Sequence, residues 1–96
     1  MAQHDTLTNL PNRHMFRANL EQALANAVRA ERQVAILFID LDKFKEVNDT
    51  LGHPVGDMLL KSAAVRLLQC ARDTDTVARL GGDEFAIIAT LSLIHI

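Results

Sequence analysis

An α/β fold is predicted by three features of the 96-residue sequence. The run Val34-Ala35-Ile36-Leu37-Phe38-Ile39 is apolar throughout, too short for a core helix and rich in β-formers. The segments on either side of it carry apolar residues at helical spacing. A Gly81-Gly82 pair then separates two further short β-rich runs, the pattern of a hairpin.

In chain order, His4 to Asn12 is polar and turn-rich, and Asn12 is placed to cap a helix running to about Arg32. Phe16, Leu20, Ala23, Leu24 and Ala27 share one face of that helix. The Val34 to Ile39 run reads as a strand buried on both faces, ending at Asp40-Leu41-Asp42. Lys43 to Asn48 is a short helix or turn, and Asp49 to His53 a loop punctuated by Gly52. Pro54 suits the first turn of a second amphipathic helix reaching Ala71. Its apolar stripe is Val55, Leu59, Ala63 and Leu67, widened by Met58, Leu60, Ala64 and Leu68. After a charged turn from Arg72, Val77 to Leu80 and Phe85 to Ala89 form the two arms of the hairpin. The order is therefore helix, strand, helix, hairpin.

Composition narrows the function classes. A hydrophobic share of 49% and a charged share of 23% are those of a globular chain. A net charge of −2 gives no general attraction to nucleic acid or anionic lipid, so a phosphate site has to be local. The absence of Trp and Tyr argues against a stacking surface for single strands. No apolar run approaches the roughly 20 residues of a membrane span, and no signal-peptide pattern opens the chain. The single cysteine, Cys70, has no partner for an internal disulfide and reads as a small core residue.

Carboxylates occur where burial alone does not ask for them. Asp40 ends an apolar strand, a position where ligand sites of open α/β sheets are often found. Asp83 and Glu84 lie at a hairpin tip after two residues without side chains. A hairpin pairing beside the strand brings Asp40 and Asp83 together, and facing carboxylates share a cation or a proton. Hard oxygen donors of this kind suit Mg²⁺. Strand-terminal Asp and Gly-Gly-Asp are also ordinary turn chemistry, Asp57 and Lys61 have the spacing of a helix ion pair, and Lys45 alone reads as a solvated lysine.

Four blocks in fixed order carry a resemblance. They are Asp5-Thr6-Leu7-Thr8-Asn9-Leu10-Pro11-Asn12-Arg13, then Asp40-Leu41-Asp42-Lys43-Phe44-Lys45-Glu46-Val47-Asn48-Asp49, then Leu51-Gly52-His53 with Gly56-Asp57, and finally Arg79-Leu80-Gly81-Gly82-Asp83-Glu84-Phe85. Over about residues 5–89 the sequence resembles the GGDEF family of diguanylate cyclases, with Asn9 where Gly is more usual.

The resemblance implies a palm-like nucleotidyl-cyclase fold and the condensation of two GTP to cyclic di-GMP by a homodimer in the cytoplasm. Nucleic acid and membrane are not expected partners of this segment. By similarity, Asp40, Asp83 and the Leu41 carbonyl are ligands of Mg²⁺ or Mn²⁺. Glu84 binds metal or helps deprotonate the attacking hydroxyl. The amides near Lys43 and Phe44, together with Lys45, face the phosphates, Asn48 and Asp57 read guanine, and Gly82 permits close approach of the nucleotide. Arg72 and Asp75 match an Arg-x-x-Asp product-inhibition site, although a charged turn explains the same residues.

The resemblance also implies a longer domain, with basic phosphate-holding residues beyond the hairpin. The expected division is a partial GGDEF domain over 5–90 and a tail, 91–96, that departs from the family pattern and looks like translated adapter sequence. Residues 1–96 alone are expected to be unstable and inactive. The competing readings are a catalytically silent module that binds GTP or cyclic di-GMP, one form of which is a hybrid with a downstream EAL phosphodiesterase domain, and a plain structural domain.

Overall fold

The structure is a computed structural model that describes residues 2–92. Helix α1 spans Arg13–Ala30, strand β1 Arg32–Asp40, helix α2 Phe44–Leu51, helix α3 His53–Cys70, strand β2 Thr76–Gly81 and strand β3 Glu84–Ser92. The strands form one antiparallel sheet in the order β1-β3-β2. The expected tail residues Leu93 to Ile96 lie outside the described residues, while Leu91 and Ser92 belong to β3.

The helix boundaries follow from local chemistry. Asn12 caps α1 by accepting from the Met15 N–H through its side chain. The helix ends earlier than expected because Glu31 turns left-handed, with φ 54°, and donates its N–H to the Ala27 carbonyl. No glycine marks that stop, so the sequence gives no warning of it. The segment after β1 is more helical than expected: α2 runs on to Leu51 through residues that read as loop.

Strand alternation divides the sheet into two faces. Val34, Ala78, Ala86 and Ile88 lie on the face covered by α1, where they pack with Phe16, Leu20 and Ala23. Ile39, Val77, Phe85 and Ile87 lie on the other face, against Leu60 and Ala64 of α3 and Phe44 of α2. Phe85 and Leu60 are the largest side chains with almost no exposure. The centre of the α3 stripe is thus Gly56, Leu60 and Ala64, while Val55, Met58 and Leu68 are exposed. Leu24 of α1 is exposed too, and so is Cys70, which is not a core residue.

The largest departure is β1. It was expected to be buried on both faces, yet Ile36, Leu37 and Phe38 are exposed, Phe38 by 70%. The reason is topological: β1 is an edge strand that pairs only with β3, and among the described residues no element covers its outer half. A long apolar edge is a template for pairing with another chain. Residues 1–96 produced alone are therefore expected to self-associate as concentration rises, and Leu37→Ser with Phe38→Lys is expected to reduce that association. Sedimentation velocity reads the outcome; a wild-type chain that stays monomeric and unfolds cooperatively contradicts it.

Candidate functional site

Three loops meet at the end of the sheet where β1 stops and β2 turns into β3. The pairing places Asp40 opposite Glu84, and the Leu41 N–H donates to the Asp83 carbonyl at 3.3 Å. The strand-terminal and hairpin-tip carboxylates therefore belong to adjacent segments of backbone. Asp40 and Glu84 are exposed and Asp83 is half-buried. Gly81 and Gly82 take φ of 146° and 49°, conformations that favour glycine, and there is open space where either would carry a Cβ. Among the described residues no three His, Cys, Asp or Glu side chains cluster tightly enough to hold a metal. The donor set is instead a few carboxylates plus backbone carbonyl oxygen. That set fits Mg²⁺, which commonly takes one or two protein carboxylates and fills its remaining positions with water and substrate phosphate.

Chain direction after β1 brings the next candidates to the same end. Lys43 adopts a left-handed conformation, φ 59°, as the N-cap of α2, and its side chain makes no capping bond. The first N–H groups of α2, beginning at Phe44, have no partner within the helix. Lys45 is exposed on the first turn. Asn48 faces the start of α3, where its Oδ1 is buried without a hydrogen-bond partner. A Cβ built on Gly56 would collide with that Oδ1 and come within 3.5 Å of the Phe44 ring. Gly56 thus lets α2 and α3 approach closely enough to bury the carboxamide, with exposed Asp57 next to it. Asp57 makes no ion pair with Lys61; the ion pairs among the described residues are Arg72–Asp75 and Arg79–Asp5.

The hairpin tip is held from beneath. The Arg79 guanidinium donates through Nε and Nη2 to the Gly82 carbonyl, at 3.0 and 2.8 Å, and through Nη1 to Asp5 Oδ1 at 2.9 Å. Its backbone N–H donates to Pro11 O at 3.0 Å. The second Asp5 oxygen accepts from the Thr8 N–H and hydroxyl, both at 2.8 Å. Burial would raise the Asp5 carboxyl, but the two Thr8 hydrogen bonds and the Arg79 charge outweigh it, and the carboxyl is held below its ordinary value. The turn closes at Asn9, whose φ is 61°. Asn tolerates that conformation better than most residues, which accounts for its standing where glycine is more usual.

Asp5, Arg79 and Gly56 were not singled out as functional side chains by sequence reasoning. Their signals were a carboxylate three residues before a threonine, an arginine within an apolar strand, and a glycine inside a helix. Arg72 and Asp75 lie at the opposite end of β2, about 17 Å away by strand rise. They bond to each other, with Arg72 Nη2 at 3.3 Å from Asp75 Oδ1, and Arg72 Nη2 also donates to the Thr90 carbonyl at 3.1 Å.

Two outcomes are expected in the complete domain. Asp5→Asn should cost about 1.5–3 kcal/mol at neutral pH, the range for hydrogen bonds to charged groups. The folded carboxyl titrates below the unfolded value of about 3.9. Its contribution is therefore complete above that value and is lost as pH falls through the folded value. Denaturant titrations should show the gap between wild type and variant narrowing as the pH falls below the ordinary carboxylate value. Gly56→Ala should cost about 1–3 kcal/mol through overpacking, and a second change, Asn48→Ala, should recover most of it; no recovery would show that the Asn48 contact is not the cause.

The family model described as "Diguanylate cyclase, GGDEF domain" matches residues 2–92. The chain is 53% identical over 87 residues to the diguanylate cyclase TpbB of Pseudomonas aeruginosa, covering 91% of this chain and 20% of that protein. It is 52% identical over 88 residues to the bifunctional diguanylate cyclase/cyclic di-GMP phosphodiesterase MucR of the same species, covering 92% of this chain and 13% of MucR. The solved GGDEF domain of DgcB from Caulobacter crescentus, in complex with c-di-GMP, superposes with a TM-score of 0.90 at 36% identity, over 97% of this chain and 54% of that one. The chain therefore spans about half of that solved domain and a fifth or less of the two curated relatives. With the signature on the hairpin tip and the match running through all four blocks, the chain belongs to the GGDEF family.

Proposed function

We propose that these residues form part of a diguanylate cyclase centre that condenses two GTP into cyclic di-GMP and two pyrophosphates. One observation carries the reading: the β1 end, the start of α2, the α2–α3 contact and the signature hairpin all open onto the same end of the sheet. Relatives named as diguanylate cyclases support it.

In this reading Asp40 and Asp83, with the Leu41 carbonyl, would hold Mg²⁺ or Mn²⁺, the one or two carboxylates such an ion commonly takes. That ion would supply charge neutralisation at the phosphates and polarisation of the phosphoryl oxygen. The Lys43 and Phe44 amides and the Lys45 ammonium orient the triphosphate. Asn48 and Asp57 read the guanine edge, the Asp57 carboxylate accepting from N1–H and the N2 amino group. Gly82 allows the nucleotide close to the backbone. The 3′-oxygen of one GTP attacks the α-phosphorus of the other, pyrophosphate leaves, and Glu84 takes the hydroxyl proton. Positioning and charge account for most of such catalysis. A second subunit presents the second GTP, so the working unit is a homodimer, and its place of action is the cytoplasm, where GTP is available. Arg72 and Asp75 bind product and slow turnover.

The test incubates the complete domain with GTP and Mg²⁺ and quantifies cyclic di-GMP. Asp83→Ala is expected to lower the rate at least a hundredfold, the order seen when a group stabilising transition-state charge is removed. Equal product from wild type and variant would overturn the metal assignment. No product from wild type would leave a silent nucleotide-binding module.

A further inference from the structure

The signature tip receives little support from its own residues. Gly81 and Gly82 have open space where a Cβ would stand, and the strand pairing slips between Arg79 and Gly81. Among the described residues, one side chain hydrogen-bonds the stretch 81–84. It is the Arg79 guanidinium, whose Nε and Nη2 both donate to the Gly82 carbonyl, at 3.0 and 2.8 Å. The next carbonyl along, that of Asp83, accepts from the Leu41 N–H at 3.3 Å. The Cα of Asp83 therefore lies between two anchored carbonyls, one tied to Arg79 and the other to the segment after Asp40. Holding the peptide planes on both sides of a Cα fixes its two soft dihedrals, and with them the direction in which the side chain leaves the backbone.

The guanidinium is itself held. Its Nη1 donates to Asp5 Oδ1 at 2.9 Å, and Asp5 Oδ2 takes the Thr8 N–H and hydroxyl, both at 2.8 Å. The Nε and Nη2 fork thus serves the tip while Nη1 serves the opening turn. The Asp5 carboxylate also offsets a positive charge that would otherwise stand uncompensated near carboxylates suited to a cation.

We propose that Arg79 is a positioning residue for the metal-binding tip and that Asp5, backed by Thr8, sets its reach. The tie to the Gly82 carbonyl aims the Asp83 carboxylate at the cation shared with Asp40. The inference rests on the metal reading of Asp40 and Asp83. Arg79 and Asp5 act through the backbone of the tip, as groups that orient a metal ligand do.

The test is Mn²⁺ binding to the complete domain without nucleotide, followed by electron paramagnetic resonance. Thermal midpoints of each variant and the Mg²⁺ dependence of cyclic di-GMP formation accompany it. Arg79→Lys keeps a cation for Asp5 but has no fork for Gly82. It is expected to weaken Mn²⁺ binding roughly tenfold, the lower end of the cost of losing a group that orients a metal ligand, and to raise the Mg²⁺ concentration giving half-maximal rate. Asp5→Asn, which leaves the fork on Gly82, is expected to weaken binding less. Phe16→Leu, in the core on the α1 face, is the stability control, expected to lower the midpoint and to bind Mn²⁺ like wild type. If Arg79→Lys and Asp5→Asn bind like wild type while Asp83→Ala does not, the positioning role is overturned and the metal centre stands. If Phe16→Leu weakens binding as much as Arg79→Lys for a similar loss of midpoint, Arg79 acts through stability alone and the role is again overturned. If Asp83→Ala binds like wild type, or the wild-type domain takes up no Mn²⁺, the metal reading falls and the positioning role with it.

Discussion

The interaction on which this arrangement depends is the tie that one arginine makes between the hairpin tip and the opening turn of the chain. Arg79 chelates the Gly82 carbonyl and pairs with Asp5, while its own N–H is taken by Pro11. The hairpin tip has two glycines and a break in register between Arg79 and Gly81, so little local stiffness is expected there. Stiffness is supplied from outside, by an opening turn far away in sequence. With the Arg79 and Asp5 side chains 15% and 18% exposed, the pair is shielded enough to keep its geometry and wet enough to avoid the full penalty of burying charge.

The α2–α3 side of the candidate site uses the opposite device. Where the tip is braced by polar contacts, α2 and α3 are brought together by an absent side chain at Gly56. The buried Oδ1 of Asn48 has no hydrogen-bond partner among the described residues, and a buried acceptor left so costs free energy. In the proposed reading, that unpartnered atom beside an exposed Asp57 is the element that recognises guanine. The left-handed Lys43 is of the same kind, a conformation unfavourable for a residue with a Cβ and placed in the proposed phosphate segment.

Much of the fold was legible because its signals are local. Asn12 before a periodic segment, Pro54 at a helix start and Gly81-Gly82 between two β-rich runs each specify their own element. The carboxylates of the candidate site were legible for the same reason, since a charge at the end of an apolar strand stands out. What could not be read was relational. The apolar run of β1 says that both faces can be buried, not that the described residues supply a cover, so Phe38 was misplaced. The Asp5–Arg79 pair joins residues at opposite ends of the chain, and no periodicity encodes it. Gly56 inside a helix reads as a weak helix former until its neighbour across the α2–α3 contact is known.

The strand order β1-β3-β2 has a bearing on how the molecule comes together. β3 forms a local hairpin with β2, but it must also capture β1, from which two helices and a strand separate it. Closing such a long loop is entropically expensive and slow compared with helix or hairpin formation. Asp40 meets Glu84 only when that closure is complete. The end of the sheet that carries the candidate site is therefore assembled by a strongly non-local contact.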